Sequence, residues 1–113
     1  MARVVAFVPD LLFGSNLIGA LQAAGHETAL VSTMPEPVDA DVLIVDLTLD
    51  AGARIEQLRA VANRDVRTLA FYAHVEADVR ARAEEAGFDL VVPRSRMARE
   101  AVALIERLLA GGD

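Results

Sequence analysis

Short runs of β-branched and aliphatic residues alternate along this chain with stretches of helical period. Arg3-Val4-Val5-Ala6-Phe7-Val8 predicts a first strand, closed by Pro9-Asp10, since proline is tolerated at a strand end but not in its middle. Gly14-Ser15-Asn16 offers cap-capable residues before Leu17, Ile18, Leu21 and Ala24, whose spacing makes one helix face; Gly25 is the stop signal. Glu27 to Val31 predicts a second strand. Two prolines, Pro35 and Pro37, then forbid a regular helix. Val42-Leu43-Ile44-Val45-Asp46-Leu47 is an unbroken apolar run that ends in a carboxylate. A parallel strand covered on both faces loses its alternation in this way. Asp50 can cap the next helix, with Ala51, Ile55, Leu58 and Ala62 inward. Val66 to Tyr72 predicts a fourth strand. Glu76 to Ala86 predicts a helix with Val79, Ala83 and Ala86 inward, ended by Gly87. Leu90-Val91-Val92 is a short fifth strand stopped by Pro93. Met97, Ala101, Leu104, Ile105 and Leu108 face a final helix, followed by a frayed tail at Gly111-Gly112-Asp113.

Strands alternating with helices imply an α/β domain with a parallel sheet and helices on both faces. Five strands in so short a chain, joined by right-handed crossovers, favour the flavodoxin-like order 2-1-3-4-5. The link from Ser32 to Ala40 is shorter than a crossover helix requires, so the second crossover helix is predicted short or missing. The chain reads as a single domain over residues 1–113.

Composition narrows the function. The net charge of −6 argues against nucleic acid as a partner, because phosphates demand a basic face. There is no Cys, which excludes disulfides, thiol catalysis and thiolate metal sites. No apolar run reaches membrane-spanning length and no signal-peptide pattern is present, so a cytoplasmic location without membrane contact is the expectation. All 11 basic residues are Arg.

With these elements in place, the chain resembles the receiver domain of bacterial response regulators over nearly its whole length. Val42 to Leu47 looks like the strand that presents the family's phospho-accepting aspartate. Phe71-Tyr72-Ala73-His74 looks like the end of its fourth strand. Ala86-Gly87-Phe88-Asp89-Leu90-Val91-Val92-Pro93 looks like the approach to its lysine–proline pair. The resemblance implies a site in which carboxylates after strands one and three hold Mg²⁺ and one of them accepts a phosphoryl group. A strand-five cation and a strand-four hydroxyl then report the modification. On that pattern Asp46 matches the phospho-acceptor, and Asp10 with Asp46 are the metal candidates, so Mg²⁺ is a possible cofactor. Pro9 stands where a second acid is expected, Tyr72 where Ser or Thr is expected, and Pro93 nearest the lysine. Arg94 is adjacent, but a broad planar guanidinium is no conservative replacement.

The residues also carry plainer readings. Asp46 can cap backbone N–H groups at a strand end, and Asp10 after a proline is ordinary turn chemistry. Thr48, Tyr72 and Arg94 would form the rim of the pocket. Arg94 and Arg96 around Ser95 read equally as a solvated loop, and Ser15 as a helix cap. His26 suits a helix end, where a cation is favourable. Neither His26 nor His74 has metal-ligand spacing, and no constellation supports catalysis. Leu11-Leu12-Phe13 puts three large apolar residues after strand one. One or two should pack inward and the rest should contribute to an exposed interaction surface. The leading expectation is a stand-alone pseudo-receiver that acts in signal transduction by contact with a protein partner or as a homodimer, without standard aspartyl phosphorylation and without enzymatic activity. One alternative is an active phosphorelay receiver using Asp46, Mg²⁺ and Arg94. Another is a small-ligand module similar to cobalamin-binding domains, although Leu12 stands where their cobalt-ligating His is expected.

Overall fold

The fold is built on β3 (Val42–Asp46), in which all five residues are buried. A strand without a solvent face must sit at the centre of a sheet covered on both sides. It does so between β1 (Arg3–Phe7) and β4 (Arg67–Tyr72), with β2 (Glu27–Val31) outside β1 and β5 (Leu90–Pro93) outside β4. The five-stranded sheet therefore has the order 2-1-3-4-5 and every pairing is parallel. The computed structural model describes residues 2–34, 38–61, 65–73 and 77–111. Pro35, Pro37, Ala62, His74, Glu76, Gly112 and Asp113 lie outside the described residues.

Strand periodicity divides the core in two. Val4, Ala6, Ile44, Leu69 and Phe71 face α1 (Leu11–Ala23) and α4 (Arg94–Leu109), which contribute Leu17, Leu21, Met97 and Ile105. Val5, Phe7, Leu43, Val45 and Tyr72 face α2 (Ala51–Val61) and α3 (Ala77–Ala86), which contribute Ile55, Leu58, Val79 and Ala83. Each fully buried aliphatic side chain contributes about 1.5–3 kcal/mol relative to exposure, so these two layers dominate the stability.

Among the described residues, no helix joins β2 to β3. The link covers its part of the sheet with side chains instead: Val38 is buried, and Met34 and Ala40 pack against the same layer. Asp41 then fixes the register at the amino edge. Its carboxylate accepts from Arg3 N at 2.8 Å, and its own N–H donates to the Arg3 carbonyl at 2.8 Å. Asp89 does the same for β4, accepting from Thr68 N at 2.8 Å. His26 is buried too. Its Nδ1 accepts from Ala2 N at 3.4 Å, and its Nε2 lies 3.8 Å from Glu106 of α4.

Two helix starts differ from the sequence expectation. α1 begins at Leu11, so Leu11-Leu12-Phe13 is its first turn rather than a loop, and Ser15 lies in its interior rather than at its cap. Asp10 is the cap: its carboxylate accepts from Phe13 N at 3.1 Å and satisfies one of the orphan donors at the helix start. Gly14 is consequently helical, where glycine costs about 1 kcal/mol against alanine. A Cβ there would meet Leu30 Cδ1 of β2 at 2.8 Å, the far end of a partly buried side chain that would have to shift. α4 likewise starts directly after Pro93, so Arg94 and Arg96 belong to its first turn and not to a loop.

Gly25 ends the α1 segment with φ +93°, and a Cβ there would meet nothing within 4 Å. Any loss on substitution is therefore conformational. Gly25→Ala is predicted to lower stability by about 1–2 kcal/mol. Urea unfolding monitored by circular dichroism checks this, and an unchanged midpoint would refute it.

Candidate functional site

The carboxyl ends of β1, β3, β4 and β5 converge at one edge of the sheet, where open α/β folds carry their chemistry. Asp46 ends β3 and pairs in register with Phe71, while Tyr72 pairs with Pro93. The Asp46 side chain is tightly held. Its Oδ1 accepts from Thr48 N at 2.8 Å and from Thr48 Oγ1 at 2.6 Å, and the residue is 4% exposed. A carboxylate that accepts a backbone N–H two residues on stabilises a tight turn. Asp46 therefore fixes the path of the chain from β3 toward α2.

Asp10 is engaged on both oxygens. One caps α1 through Phe13 N; the other meets Arg94 Nη2 at 3.1 Å. The Arg94 guanidinium also lies over the Phe13 ring, 4.5 Å from its centroid. Phe13 in turn packs on Phe71 with ring centroids 5.0 Å apart. Asp10, Arg94, Phe13 and Phe71 thus form a continuous tie across the α1 and α4 side of this edge.

The sequence-predicted residues are only partly assembled. Asp46 and Thr48 are in direct contact, as are Asp10, Arg94 and Phe13. The three rim residues are divided. Thr48 holds Asp46, Arg94 holds Asp10, and Tyr72 is buried in the layer under α2 and α3. Of the apolar triplet, Phe13 packs inward, whereas Leu11 and Leu12 are 73% and 75% exposed. Leu49, just past β3 at the same edge, is 67% exposed. Among the described residues, no group of three or more His, Cys, Asp or Glu is placed to hold a metal ion.

Sequence reading missed one central residue, Arg54. It is buried on α2, donates from Nη1 to the main-chain carbonyl of Asp46, and lies 4.9 Å over the Phe7 ring. The signal was its helical spacing. Arg54 follows Ala51 by three residues and precedes Leu58 by four, on the stripe that faces the sheet. Charge made it look like a surface residue, because arginine is almost never fully buried unless paired.

No family model matches the sequence, and no curated protein matches it. Solved structures do match its fold. It superimposes on the receiver domain of the TMAO respiratory response regulator TorR with a TM-score of 0.85, covering 100% of both chains at 18% identity. It matches a response regulator receiver protein from Burkholderia phymatum with a TM-score of 0.79, covering 100% of this chain and 98% of that one at 19% identity. It also matches NtrX from Brucella abortus with a TM-score of 0.81 at 16% identity. There, 97% of this chain spans only 26% of the longer protein. The chain has the fold of a response-regulator receiver domain.

Cap and ion pair at Asp10 can be separated. An exposed ion pair contributes about 0.2–1 kcal/mol, and losing an N-cap costs about 0.5–2 kcal/mol. Asp10→Asn should therefore be nearly neutral and Asp10→Ala clearly destabilising in urea unfolding. Equal losses would show that the ion pair dominates. Arg54→Leu removes the donor to the Asp46 carbonyl and should cost about 1–3 kcal/mol. An unchanged melting curve would rule out that role.

Proposed function

We propose that this chain is a receiver-fold signalling module that works through contact with a protein partner, without a standard aspartyl phosphorylation cycle. One observation carries the reading: the Asp46 carboxylate is 4% exposed, and Thr48 supplies two hydrogen bonds to Oδ1. A nucleophilic carboxylate oxygen must be free and reachable for in-line attack on phosphorus. Here one of the two oxygens, Oδ1, is committed to the turn after β3.

The surroundings support the same conclusion. The chain has no Lys; Arg54 is committed to the Asp46 main-chain carbonyl, and Arg94 already neutralises Asp10. The donor set as arranged does not fit a resident Mg²⁺ ion. Asp10 is engaged on both oxygens, and the fixed positive charge of Arg94 at 3.1 Å opposes a second cation. No step of the proposed function runs through a metal. The net charge of −6 favours a protein partner over nucleic acid. Exposed Leu11, Leu12 and Leu49 at the carboxyl edge provide apolar surface for it. No helix among the described residues is long and apolar enough to cross a membrane.

A second reading rests on the position of Arg94, a cation held at the carboxyl edge beside Asp10. In that reading the chain accepts a phosphoryl group on Asp46, with Arg94 serving in place of a lysine. Incubation with acetyl phosphate and Mg²⁺, followed by intact-mass measurement, decides between the two. The expected result is an unmodified chain. A phosphoryl adduct that disappears in Asp46→Asn and weakens in Arg94→Ala would establish the second reading and overturn the first.

A further inference from the structure

α4 is not one continuous helix. Glu100 has φ −126° and ψ 21°, outside the helical region, so the element divides into a front piece, 94–99, and a rear piece, 101–109. A sharp break has an identifiable cause, and neither Pro nor Gly lies within this helix. Here two guanidinium groups gather on one carboxylate: Arg96 and Arg99 each lie 3.6 Å from Glu100. Adjacent residues of a regular helix do not face each other, so the Arg99–Glu100 contact belongs to a broken turn.

The two pieces are held unequally. The rear piece buries Ala101, Leu104, Ile105 and Leu108 in the core, whereas the front piece buries Met97 alone. Between the front piece and α1 lies a cavity of about 150 Å³, with Met97 and Ala98 on one wall and Phe13 and Asn16 on the other. Side chains that line a void lose the contacts they would make across it. The first N–H groups of the front piece have no side-chain cap, because Pro93 stands at the cap position. What ties this piece to α1 at the carboxyl edge is Arg94, which meets Asp10 at 3.1 Å and lies over the Phe13 ring. Both partners of that ion pair are 47% exposed, and solvent-exposed pairs hold weakly.

Segments with few buried apolar contacts open locally while the rest of a fold stays intact. We propose that the front piece of α4 is a strap that opens as a unit about Glu100 while the rear piece remains docked. Opening breaks the Arg94–Asp10 pair and lifts the guanidinium from the face of Phe13. The carboxyl edge of the sheet then has two states, one with the Phe13 ring covered by Arg94 and one with it bare. This device goes beyond the protein-contact reading and gives the same edge a moving part.

Native-state amide hydrogen exchange of the intact, unmodified chain, read by NMR in rising sub-denaturing urea, tests this. The amides of Arg94, Ser95 and Arg96 are orphan donors of the helix start, so the informative ones are Met97, Ala98 and Arg99. These three should share one protection factor and one urea dependence, about tenfold or more below Leu104 and Ile105. Asp10→Asn keeps a capping side chain on α1 and removes the ion pair. It should lower all three protection factors by a common factor of about 2–5, the range of an exposed pair, and leave Leu104 and Ile105 unchanged. Protection that climbs residue by residue from Met97 to Leu104 would mean ordinary fraying of a helix end and would overturn the proposal. Front amides as protected as Leu104 would overturn it too, as would Asp10→Asn with unchanged front exchange. An Asp46 adduct formed with acetyl phosphate would defeat the phosphorylation-free reading and has no bearing on these rates.

Discussion

Everything in this molecule follows from the burial of β3 on both faces. With no residue of Val42–Asp46 open to solvent, the sheet needs a full layer on each side. One layer comes from α1 and α4. The other has only α2 and α3, because the link between β2 and β3 has no helix among its described residues. Among the link's described residues, Val38, Met34 and Ala40 add side chains to that layer. Such cover can serve here because β2 is an edge strand, where only a narrow strip of sheet needs it.

Most of the fold was legible from hydrophobic pattern. The run at Val42 identified the central strand, and alternation of strands with amphipathic stretches identified the parallel sheet and its order. Helix starts were less legible, because several neighbouring residues can cap. Gly14-Ser15-Asn16 looked like the start of α1, but Asp10 had the right backbone, with φ −70° and ψ 106°, and a donor within reach. Long-range pairs were harder still. Nothing local to Arg94 points to Asp10, 84 residues away, and Arg54 is informative only when its helical stripe is weighed against its charge. The separation of Asp46 from Tyr72 by turn and layer was likewise a tertiary matter.

At the carboxyl edge, guanidinium groups do what smaller cations could not. Arg94 combines an ion pair to Asp10 with stacking on Phe13. Arg54 combines a hydrogen bond to a strand-end carbonyl with stacking on Phe7. A planar, weakly hydrated cation can make both contacts at once; an ammonium is a point charge that stays hydrated. A chain whose Lys and Arg count is all Arg thus places two of its cations over aromatic rings, one on each side of the sheet.

The glycine at position 14 has a geometric consequence for the whole α1 layer. Without a Cβ, the helix axis can settle toward Leu30 on the outer strand. The same helix meets α4 across a cavity lined by Phe13, Asn16 and Ala20 on one wall and Met97, Ala98 and Ala101 on the other. α1 is thus in close contact on its β2 side and leaves a recess on its α4 side.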